Sequence, residues 1–462
     1  MEKAYFLAID IGASSGRHVI AELDQGEIKL EVIYRFANHP IEKDGSLVWN
    51  IDELSFHVIE GLKQAKKLGK CPQSIGIDTF GVDYVCLDSN DQIIGDVFAY
   101  RDHRNFAART AFSQMLNETT QYEITGIQPL VFNTIYQLYA DKLSGKLAKA
   151  RKIMMLPCYL GYYLTGRFQN EYTISSTSGL LNAQTSSWDS QLCGILELDR
   201  ERFGPMVTPG EVIGKLRQEI TKEIGYEATV MAVSSHDTAS AVIGSLAAQD
   251  TAFLSSGTWS LIGVLENHPV LKEEARIRGF TNEGNYGKQI RFLKNIMGLW
   301  MVQEVRREMG NKHSYSEIAE MAASHSDYPG VVDVNDEGFL SPTSMIGAIH
   351  KQLQENGFML PKTDGELYFL LFHSLALKYQ ASLLEIEQLT QRQITSINIV
   401  GGGSRNKLLN HLTEKYCKRP VIAGPIEATA LGNILVQMVA RGILKDIGEA
   451  KDYVKKMIHS EQ

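Results

Sequence analysis

The chain has 462 residues, of which 44% are apolar and 22% are charged, and its formal net charge is −8. A chain of this length is too long to fold around one hydrophobic core, so we expect two or more domains. The composition is that of a soluble globular protein. The acidic balance argues against a nucleic-acid-binding protein, which needs a basic surface to face the phosphates.

Targeting and membrane segments are not expected. The apolar run at residues 4–9 is stopped by Asp10 and is shorter than the core of a secretion signal. No run approaches the roughly 18 apolar residues that cross a membrane. The five cysteines are scattered and form no C-x-x-C pair, which favours free thiols over disulfides or a zinc site. We therefore expect a cytoplasmic protein.

The beginning of the chain predicts an α/β arrangement. Its first residues predict three successive strands, at 4–10, 18–23 and 28–35. An amphipathic helix is expected next, with Asp52 as its N-cap and Gly69 at its end. An apolar strand at 74–78 follows, and this succession of strands and helices indicates a mixed sheet.

The second half predicts a repeat of this order. Its predicted elements are strands at 251–264 and 289–294, a helix at 366–389, a strand at 397–400, a glycine turn at 401–404, a helix at 406–417 and a helix that begins near 428. The segment 239–248 has small side chains and suits a hinge, so we place a boundary near residue 244. The expected domains are residues 1–244 and 245–462, which form two related lobes.

Two strand–turn–strand units carry the same kinds of small residues in their turns. The first turn is Gly12-Ala13-Ser14-Ser15-Gly16, and the second is Ser255-Ser256-Gly257-Thr258. Bare backbone N–H groups and small hydroxyls can approach phosphate oxygens closely. Two copies predict two lobes that hold one polyphosphate from opposite sides, although neither copy is a Walker A loop.

Asp10 ends the first strand directly before the first turn. A carboxylate at this place can hold a magnesium ion through water, beside bound phosphates. Alone, an aspartate at a strand end is more often a turn cap. The Gly/Ser turn and Arg17 that follow favour the magnesium interpretation.

Asp237 follows His236 within a segment of small and apolar residues, at 233–242. A partly buried aspartate beside a sugar hydroxyl and an incoming phosphoryl group can accept the hydroxyl proton. Asp237 also suits the N-cap of a helix, and both roles are compatible because the helix dipole favours an anion there. His236 could orient a substrate, or it could be a structural histidine.

Two further segments are weaker signals. Gly401-Gly402-Gly403 lies between a predicted strand and a predicted helix, where it suits close approach to an adenine or ribose, or a simple turn. It does not complete a G-x-G-x-x-G motif, because Asn406 stands at the last position. Asp78, Gly81 and Asp83 lie near a strand end and suit binding of a polyol, or an ordinary turn.

Together these segments resemble the FGGY family of carbohydrate kinases, over nearly the whole chain. The residues that carry the resemblance are 10–17, 79–84, 100–104, 125–128, 235–240, 255–260, 295–300 and 427–433. The resemblance implies an α/β fold of two ribonuclease-H-like lobes, as in the actin and sugar-kinase ATPases, with the active-site cleft between them. His236 and the segment 295–300 are similar to family members that act on L-rhamnulose.

The resemblance implies in-line, ATP-dependent phosphorylation of the primary hydroxyl of L-rhamnulose, a step of rhamnose catabolism. Asp237 would be the general base, and Asp10 would hold Mg²⁺. The residues implied at the nucleotide are Ala13, Ser14, Ser15, Gly16, Arg17, Thr258, Gln303 and Gly402. The residues implied at the sugar are Gly81, His236, Asp237, Thr238 and Asn295. The expected partners are ATP and this small sugar, with no nucleic acid or membrane, and the oligomeric state is not evident.

Three alternatives stay open from the sequence. The sugar can be another ketose or polyol, such as L-fuculose, L-xylulose or L-ribulose, because one or two hydroxyl contacts decide the specificity. A nucleotide-driven assembly or chaperone protein on the same two-lobed fold would lack a sugar site, which the segment 78–83 and the pair His236-Asp237 argue against. A dinucleotide-dependent oxidoreductase rests only on the glycine turn at 401–403.

Overall fold

Two six-stranded mixed sheets form the centre of the molecule. The computed structural model describes residues 3–340 and 342–461. The strands that come first along the chain are β1 (Ala4–Ile11), β2 (Ser15–Asp24), β3 (Glu27–Ala37), β4 (Ile41–Lys43), β5 (Ser46–Trp49), β6 (Ser74–Thr79), β7 (Tyr84–Leu87), β8 (Val97–Phe98), β9 (Lys152–Met155), β10 (Asn170–Glu171), β11 (Leu181–Asn182), β12 (Ser187–Trp188), β13 (Met206–Val207), β14 (Val212–Lys215) and β15 (Thr229–Met231).

The helices of this part surround the first sheet and its insertions. They are α1 (Ile51–Lys67), α2 (Arg104–Met115), α3 (Glu118–Thr125), α4 (Thr134–Leu143), α5 (Lys146–Lys149), α6 (Leu156–Thr165), α7 (Tyr172–Ser175), α8 (Ser190–Ile195), α9 (Gln218–Ile224) and α10 (Asp237–Ile243). The first sheet has the order β14-β15-β6-β1-β2-β3. Within it β1, β2 and β3 are antiparallel, and β6 runs parallel to β1.

The second part of the chain repeats this arrangement. Its strands are β16 (Thr251–Ser256), β17 (Trp259–Glu266), β18 (Phe280–Gly284), β19 (Ile290–Met297), β20 (Ser396–Val400) and β21 (Val421–Ala423). Its helices are α11 (Glu273–Ile277), α12 (Trp300–Glu308), α13 (Tyr315–Ala323), α14 (Met345–Glu355), α15 (Asp364–Thr390), α16 (Lys407–Cys417), α17 (Ala428–Ala440) and α18 (Ile447–Glu461).

The second sheet repeats the order of five strands of the first. Its order is β18-β19-β17-β16-β20-β21, in which β16, β17 and β19 are antiparallel and β20 runs parallel to β16. An antiparallel set of three strands followed by a parallel neighbour therefore occurs twice. The predicted two-lobed α/β fold with mixed sheets is confirmed.

Two predicted details differ from the structure. The N-cap of α1 is Asn50, whose side chain accepts a hydrogen bond from the Glu53 N–H at 3.2 Å, so the prediction of Asp52 as the cap was wrong. Asp52 lies in the first turn instead, where its charge favours the helix dipole. The strand β2 also begins at Ser15 and not at residue 18 as predicted, so Ser15, Gly16 and Arg17 belong to it.

The first strand is apolar from Ala4 to Ile9 because both faces of the first sheet are covered. Leu7 and Ile9 face one core, which also contains Val58 of α1. Phe6 and Ala8 point to the opposite face and belong to a second core. Alternate residues of a strand face opposite sides, so a continuous apolar run is expected for a strand buried on both sides.

The second of these cores contains helices that are encoded at the end of the chain. Leu431 of α17 and Val454 of α18 pack in the same cluster as Phe6 and Ala8. In the other direction, Val242 of α10 packs in a cluster with Phe253 of β16. Each sheet is therefore partly covered by a helix from the other half of the chain. The division into domains 1–244 and 245–462 stays a prediction.

The two helices α10 and α17 cross at very close range. A Cβ atom at Gly244 would lie 2.0 Å from the carbonyl oxygen of Ala428, and one at Gly432 would lie 1.8 Å from that of Ser240. Only glycine fits at such a crossing, because any other side chain overlaps the backbone of the partner helix. The crossing fixes how the two sheets sit relative to each other. In residues 3–340 and 342–461, no helix has the length and apolarity to span a membrane.

Candidate active site

Two buried aspartates lie side by side where β1 and β6 end. Asp10 and Asp78 are direct partners in the parallel pairing of these strands. Arg17 donates from Nε and Nη2 to Oδ2 of Asp10, at 3.0 and 2.7 Å. Burial raises the pKa of Asp10, which Arg17 opposes. Burial and the negative charge of Asp10 together raise the pKa of Asp78 well above its usual range.

The second half of the chain supplies two groups to this pair. Asn433 of α17 donates to Oδ2 of Asp78 at 2.6 Å. Glu427, directly before α17, lies 3.1 Å from Nη1 of Arg17. One guanidinium therefore faces the carboxylates of Asp10 and Glu427 with Asp78 nearby, and the pocket carries excess negative charge. Neither Asn433 nor Glu427 was given a role from the sequence, although both lie in a segment that carries the family resemblance.

Asp237 begins α10 beside these aspartates. The loop before it is held in place, because the Thr79 N–H donates to the carbonyl of Ser235 at 2.9 Å. Oδ1 of Asp237 accepts from the backbone N–H and the hydroxyl of Thr238, at 2.5 and 3.1 Å. Oδ2 has no hydrogen-bond partner in the described ranges 3–340 and 342–461, and the side chain is 30% exposed. After burial, the charge of Asp237 contributes to the raised pKa of both Asp10 and Asp78, so the three carboxylates influence one another electrostatically.

The N-cap interpretation of Asp237 is not what the structure shows. The cap position is occupied by His236, which makes no side-chain capping bond, and Asp237 is the first residue of the helix. Its carboxylate is therefore near the positive end of the helix dipole while one oxygen stays free. This arrangement suits a base that must be ionised before it accepts a proton.

His236 joins the two lobes. Its Nε2 lies 3.4 Å from Oδ1 of Asp237, and its Nδ1 is 2.9 Å from Nη2 of Arg291 on β19. A Cβ atom at Gly81 would lie 3.4 Å from the same Nε2, so Gly81 borders the histidine without touching it. The structure thus brings together Gly81, His236 and Asp237, which the family resemblance implied at the sugar. Thr238, also implied there, donates hydrogen bonds to Oδ1 of Asp237.

Asn295 lies on the same strand as Arg291, four residues further along. Residues separated by an even number of positions share one face of a strand, so Asn295 faces the side on which Arg291 reaches His236. Its carbonyl accepts from Nδ2 of Asn335 at 3.3 Å. This placement is compatible with its expected contact to the sugar.

From the sequence, Asp83 suits a role as a ligand of a polyol, but its carboxylate is already hydrogen-bonded within the protein. Both carboxylate oxygens are occupied, since Oδ2 accepts from Trp49 Nε1 at 2.6 Å and from the Tyr100 N–H at 3.1 Å. Oδ1 accepts from Gln137 at 2.9 Å. Burial raises the pKa of Asp83 to about 7 against these three donors. Asp83 therefore braces the loop that carries Gly81, and it is not available to bind a polyol directly.

The first turn of small residues is short and is held by hydrogen bonds. The Gly12 N–H donates to the Ser15 carbonyl at 2.9 Å, and Asn38 donates from Nδ2 to the Gly12 carbonyl at 2.7 Å. Ser14 and Ser15 are exposed, and Ala13 is half-buried between them and β1. Asn38 had no role from the sequence, because nothing local marks it as a brace for a turn 26 residues away.

Gly16 has a packing reason to be glycine. A Cβ atom there would lie 2.0 Å from the ring of Phe36 on β3. The contact expected between Gly16 and the phosphates would therefore be made by its backbone, which this close packing holds in position.

The second turn gathers the other expected nucleotide residues. The hydroxyl of Thr258 donates to Oε1 of Gln303 at 3.3 Å. The glycine turn lies against β16, since a Cβ atom at Gly403 would lie 2.0 Å from Oγ of Ser256. A Cβ atom at Gly402 would meet nothing within 4 Å, so this backbone faces open space. Thr258, Gln303 and Gly402 therefore border one region at the end of the second sheet.

Among residues 3–340 and 342–461, no three or more His, Cys, Asp or Glu side chains are arranged to hold a metal ion. Oδ1 of Asp78 is buried and has no hydrogen-bond partner within those ranges. The carboxylate pair can thus accept a cation only together with other ligands, such as water or phosphate oxygens.

Comparison with known proteins identifies the class. The N-terminal domain model of the FGGY family of carbohydrate kinases matches residues 5–244, and the C-terminal domain model matches residues 252–441. The chain belongs to the FGGY family of carbohydrate kinases, as the sequence resemblance predicted. Sugar kinases of this family use ATP, generally with a divalent metal ion.

Individual relatives narrow the comparison. The chain is 43% identical over 452 residues to the rhamnulokinase of Halalkalibacterium halodurans, covering 97% of this chain and 96% of the relative. It is 41% identical to the rhamnulokinase of Bacillus subtilis, covering 97% and 93%. Among solved structures, the gluconate kinase from Lactobacillus acidophilus has a TM-score of 0.84 at 15% identity and covers 98% of this chain and 92% of that one. That last likeness shows the shared fold.

Proposed function

We propose that the protein is a rhamnulokinase, which transfers the γ-phosphoryl group of ATP to the primary hydroxyl of L-rhamnulose in rhamnose catabolism. The observation that supports it most is the environment of Asp237, where one oxygen is held by Thr238 and the other is free. Relatives named rhamnulokinase that are about 40% identical over nearly the full chain support the sugar.

Asp237 is the general base in this proposal. Oδ2 accepts the proton of the attacking hydroxyl, while the two bonds from Thr238 hold Oδ1 and keep the carboxylate from rotating. Gly81 and Asn295 border the sugar on either side of His236. The protein contributes chiefly position and charge, since phosphoryl transfer through a loose transition state needs little covalent assistance.

The nucleotide lies between the two turns in this proposal. The backbone and hydroxyls of residues 13–16 face its phosphates from the first lobe. Thr258, Gln303 and Gly402 face it from the second lobe. Arg17 is already positioned by Asp10 and Glu427, so its guanidinium can neutralise phosphate charge without a large loss of side-chain entropy. Lobe 1–244 would then carry the sugar and lobe 245–462 most of the nucleotide, in a cytoplasmic enzyme with access to ATP.

The carboxylates fit a magnesium ion that is held mainly through water. Asp10 and Asp78 are buried together with a free oxygen on Asp78, and burial raises the pKa of both. A divalent cation nearby would favour their ionised forms. When bound, magnesium neutralises charge on the phosphates. Asp10 and Asp78 would hold its water ligands, which agrees with the small number of protein ligands that Mg²⁺ usually takes.

A coupled assay of ADP release over a panel of sugars tests the proposal. The panel contains L-rhamnulose, L-fuculose, L-xylulose and L-ribulose, with a reaction lacking sugar as the control. We expect the highest kcat/KM with L-rhamnulose and a 1-phosphate product, identified by phosphorus NMR. A higher kcat/KM with another ketose would reassign the substrate. ATP hydrolysis that no sugar stimulates would favour a non-kinase ATPase.

A further inference from the structure

Arg291 is buried at the junction of the two lobes. It lies on β19, and its side chain is fully shielded from solvent. Its Nη2 is 2.9 Å from Nδ1 of His236, and its Nε donates to the Gly284 carbonyl at 3.1 Å. Glu283 lies directly opposite Arg291 in the pairing of β18 with β19, with Oε2 3.1 Å from Nη2. The guanidinium is therefore fixed by its own sheet and presented to the loop of the other lobe.

The contact with Arg291 determines which nitrogen of His236 carries the proton. A guanidinium offers only N–H donors, so the nitrogen it meets must accept. Nδ1 of His236 is then unprotonated, and a neutral imidazole carries its hydrogen on Nε2. This is the nitrogen that lies 3.4 Å from Oδ1 of Asp237.

We propose that Arg291 is a positioning residue for the general base: it holds His236 as the Nε2-protonated tautomer, which in turn holds Oδ1 of Asp237. The inference rests on the proposed function in so far as Asp237 is the base. Oδ1 then faces the Nε2–H of His236 as well as two bonds from Thr238, and Oδ2 is the only oxygen left for the sugar hydroxyl. Because Arg291 belongs to the second lobe and Asp237 to the first, the orientation of the base depends on how the lobes are docked.

Glu283 offers the competing arrangement. Its Oε2 is 3.4 Å from Nδ1 of His236, and a carboxylate would require a proton on that nitrogen. The Arg291 contact is shorter, at 2.9 Å, and Arg291 also pairs with Glu283 itself. The guanidinium is the nearer partner of Nδ1 and can only donate, so Nδ1 accepts. Arg291 also offsets the charge of Glu283, whose Oε2 accepts no hydrogen bond within residues 3–340 and 342–461.

Nitrogen NMR of the full-length protein labelled at histidine tests the tautomer directly. The His236→Gln variant identifies the signals of residue 236 by their loss. We expect Nδ1 unprotonated and Nε2 protonated at neutral pH in the wild type and in Glu283→Gln. A proton on Nδ1 in the wild type would overturn the inference, and so would a change of tautomer in Glu283→Gln, since either would make Glu283 the partner that decides it.

Kinetics of two Arg291 variants test the consequence for catalysis. Arg291→Met removes the donors and should mix the two tautomers and lower kcat by about 10²-fold, the effect of misplacing a reacting group. The KM for ATP should stay unchanged, because Arg291 does not face the nucleotide residues. Arg291→Lys retains a cationic N–H donor group and should recover part of kcat together with the wild-type tautomer. Equal kcat in all three proteins would remove the role from Arg291.

Variants of His236 test the same inference if an Arg291 variant does not fold. The amide of His236→Gln can accept from Arg291 through its oxygen and donate to Asp237 through its nitrogen. We expect it to retain more kcat than His236→Leu, which can do neither, and equal losses in the two would contradict the inference. Absence of L-rhamnulose turnover in the wild type would instead defeat the proposed substrate, while the tautomer experiment would still decide what Arg291 does.

Discussion

Asn433 of α17 donates a hydrogen bond to Oδ2 of Asp78 at 2.6 Å, across a separation of 355 residues. The same helix approaches β6 so closely that a Cβ atom at Gly76 would lie 2.2 Å from Oδ1 of Asn433. Gln437, one turn later, donates to Asn433 and to the carbonyl of Leu7. A helix from the end of the chain is therefore hydrogen-bonded to the strands that carry both buried aspartates, so the site depends on its packing.

The crossing of α10 and α17 gives a test of that dependence. In Gly432→Ala the new methyl group would lie 1.8 Å from the Ser240 carbonyl, so one of the helices must shift. Overpacking of this kind costs about 1–3 kcal/mol, and we expect a lower free energy of unfolding in urea and a lower kcat. The matched control is Gly194→Ala in α8, where a Cβ atom meets nothing within 4 Å. That control should be unchanged or slightly more stable, and equal effects of the two substitutions would contradict the role of the crossing.

Asp237→Asn tests the general base. The amide keeps the shape of the side chain but cannot take the hydroxyl proton, so we expect kcat to fall by about 10²–10⁴-fold. Binding of L-rhamnulose, measured by calorimetry, should largely survive, because Gly81 and Asn295 are untouched. Asp199→Asn is the control, since that side chain is 83% exposed and lies outside the site. Near-normal turnover of Asp237→Asn would remove Asp237 from its role.

The elements that the sequence predicts well are those with local signals. The turn around Gly12 and the strand that precedes it were expected, because apolar runs and small-residue turns are set by neighbours in the chain. The cap of α1 shows the limit, since Asn50 and Asp52 are both good caps and only the backbone conformation decides between them. Local rules therefore indicate these elements but not their exact ends.

The parts of the site that the sequence did not reveal depend on distant pairing. Asn433, Glu427 and Arg291 meet Asp78, Arg17 and His236 only because α17 crosses to the first sheet and β19 faces the loop of the first lobe. Their separation along the chain removes any periodic signal that would pair them, although Glu427 and Asn433 lie in a segment that carries the family resemblance. Asp83 is the opposite case, where an acidic residue near a glycine resembles a ligand but its oxygens are filled by protein donors that no local pattern indicates.

Asp10→Asn tests the proposed place of magnesium. Loss of one negative charge should weaken a cation held through water, and outer partners of this kind typically change metal affinity by about 10–100-fold. We expect the Mg²⁺ concentration for half-maximal turnover to rise by such a factor. In the wild type, EDTA should abolish turnover and added Mg²⁺ should restore it. An unchanged Mg²⁺ requirement with a lower kcat would assign Asp10 to holding Arg17 instead, through the bonds at 3.0 and 2.7 Å.

We expect His18 to make the stability of the first lobe depend on pH. It is fully buried on β2, with its ring over Gly61 and Nε2 3.3 Å from the Val58 carbonyl. Burial lowers the pKa of His18 from 6.5 to about 3. Below pH 6.5 the unfolded chain therefore binds a proton at His18, whereas the folded chain binds this proton only near pH 3. The stability that the neutral ring contributes is complete above pH 6.5 and decreases as the pH falls through this window.

Within this pH range, one such histidine changes the free energy of unfolding by about 1.4 kcal/mol per pH unit. His18→Gln retains a donor for Val58 but has no group that titrates, so its free energy of unfolding should be lower than that of the wild type at pH 8. The difference should narrow as the pH falls toward 5, because only the wild type loses this contribution. His411→Gln is the control, since His411 is exposed on α16 and its replacement should leave the pH dependence unaltered. Urea unfolding at pH 5, 6, 7 and 8 measures all three proteins, and parallel curves for the wild type and His18→Gln would show that proton uptake at His18 does not govern acid stability.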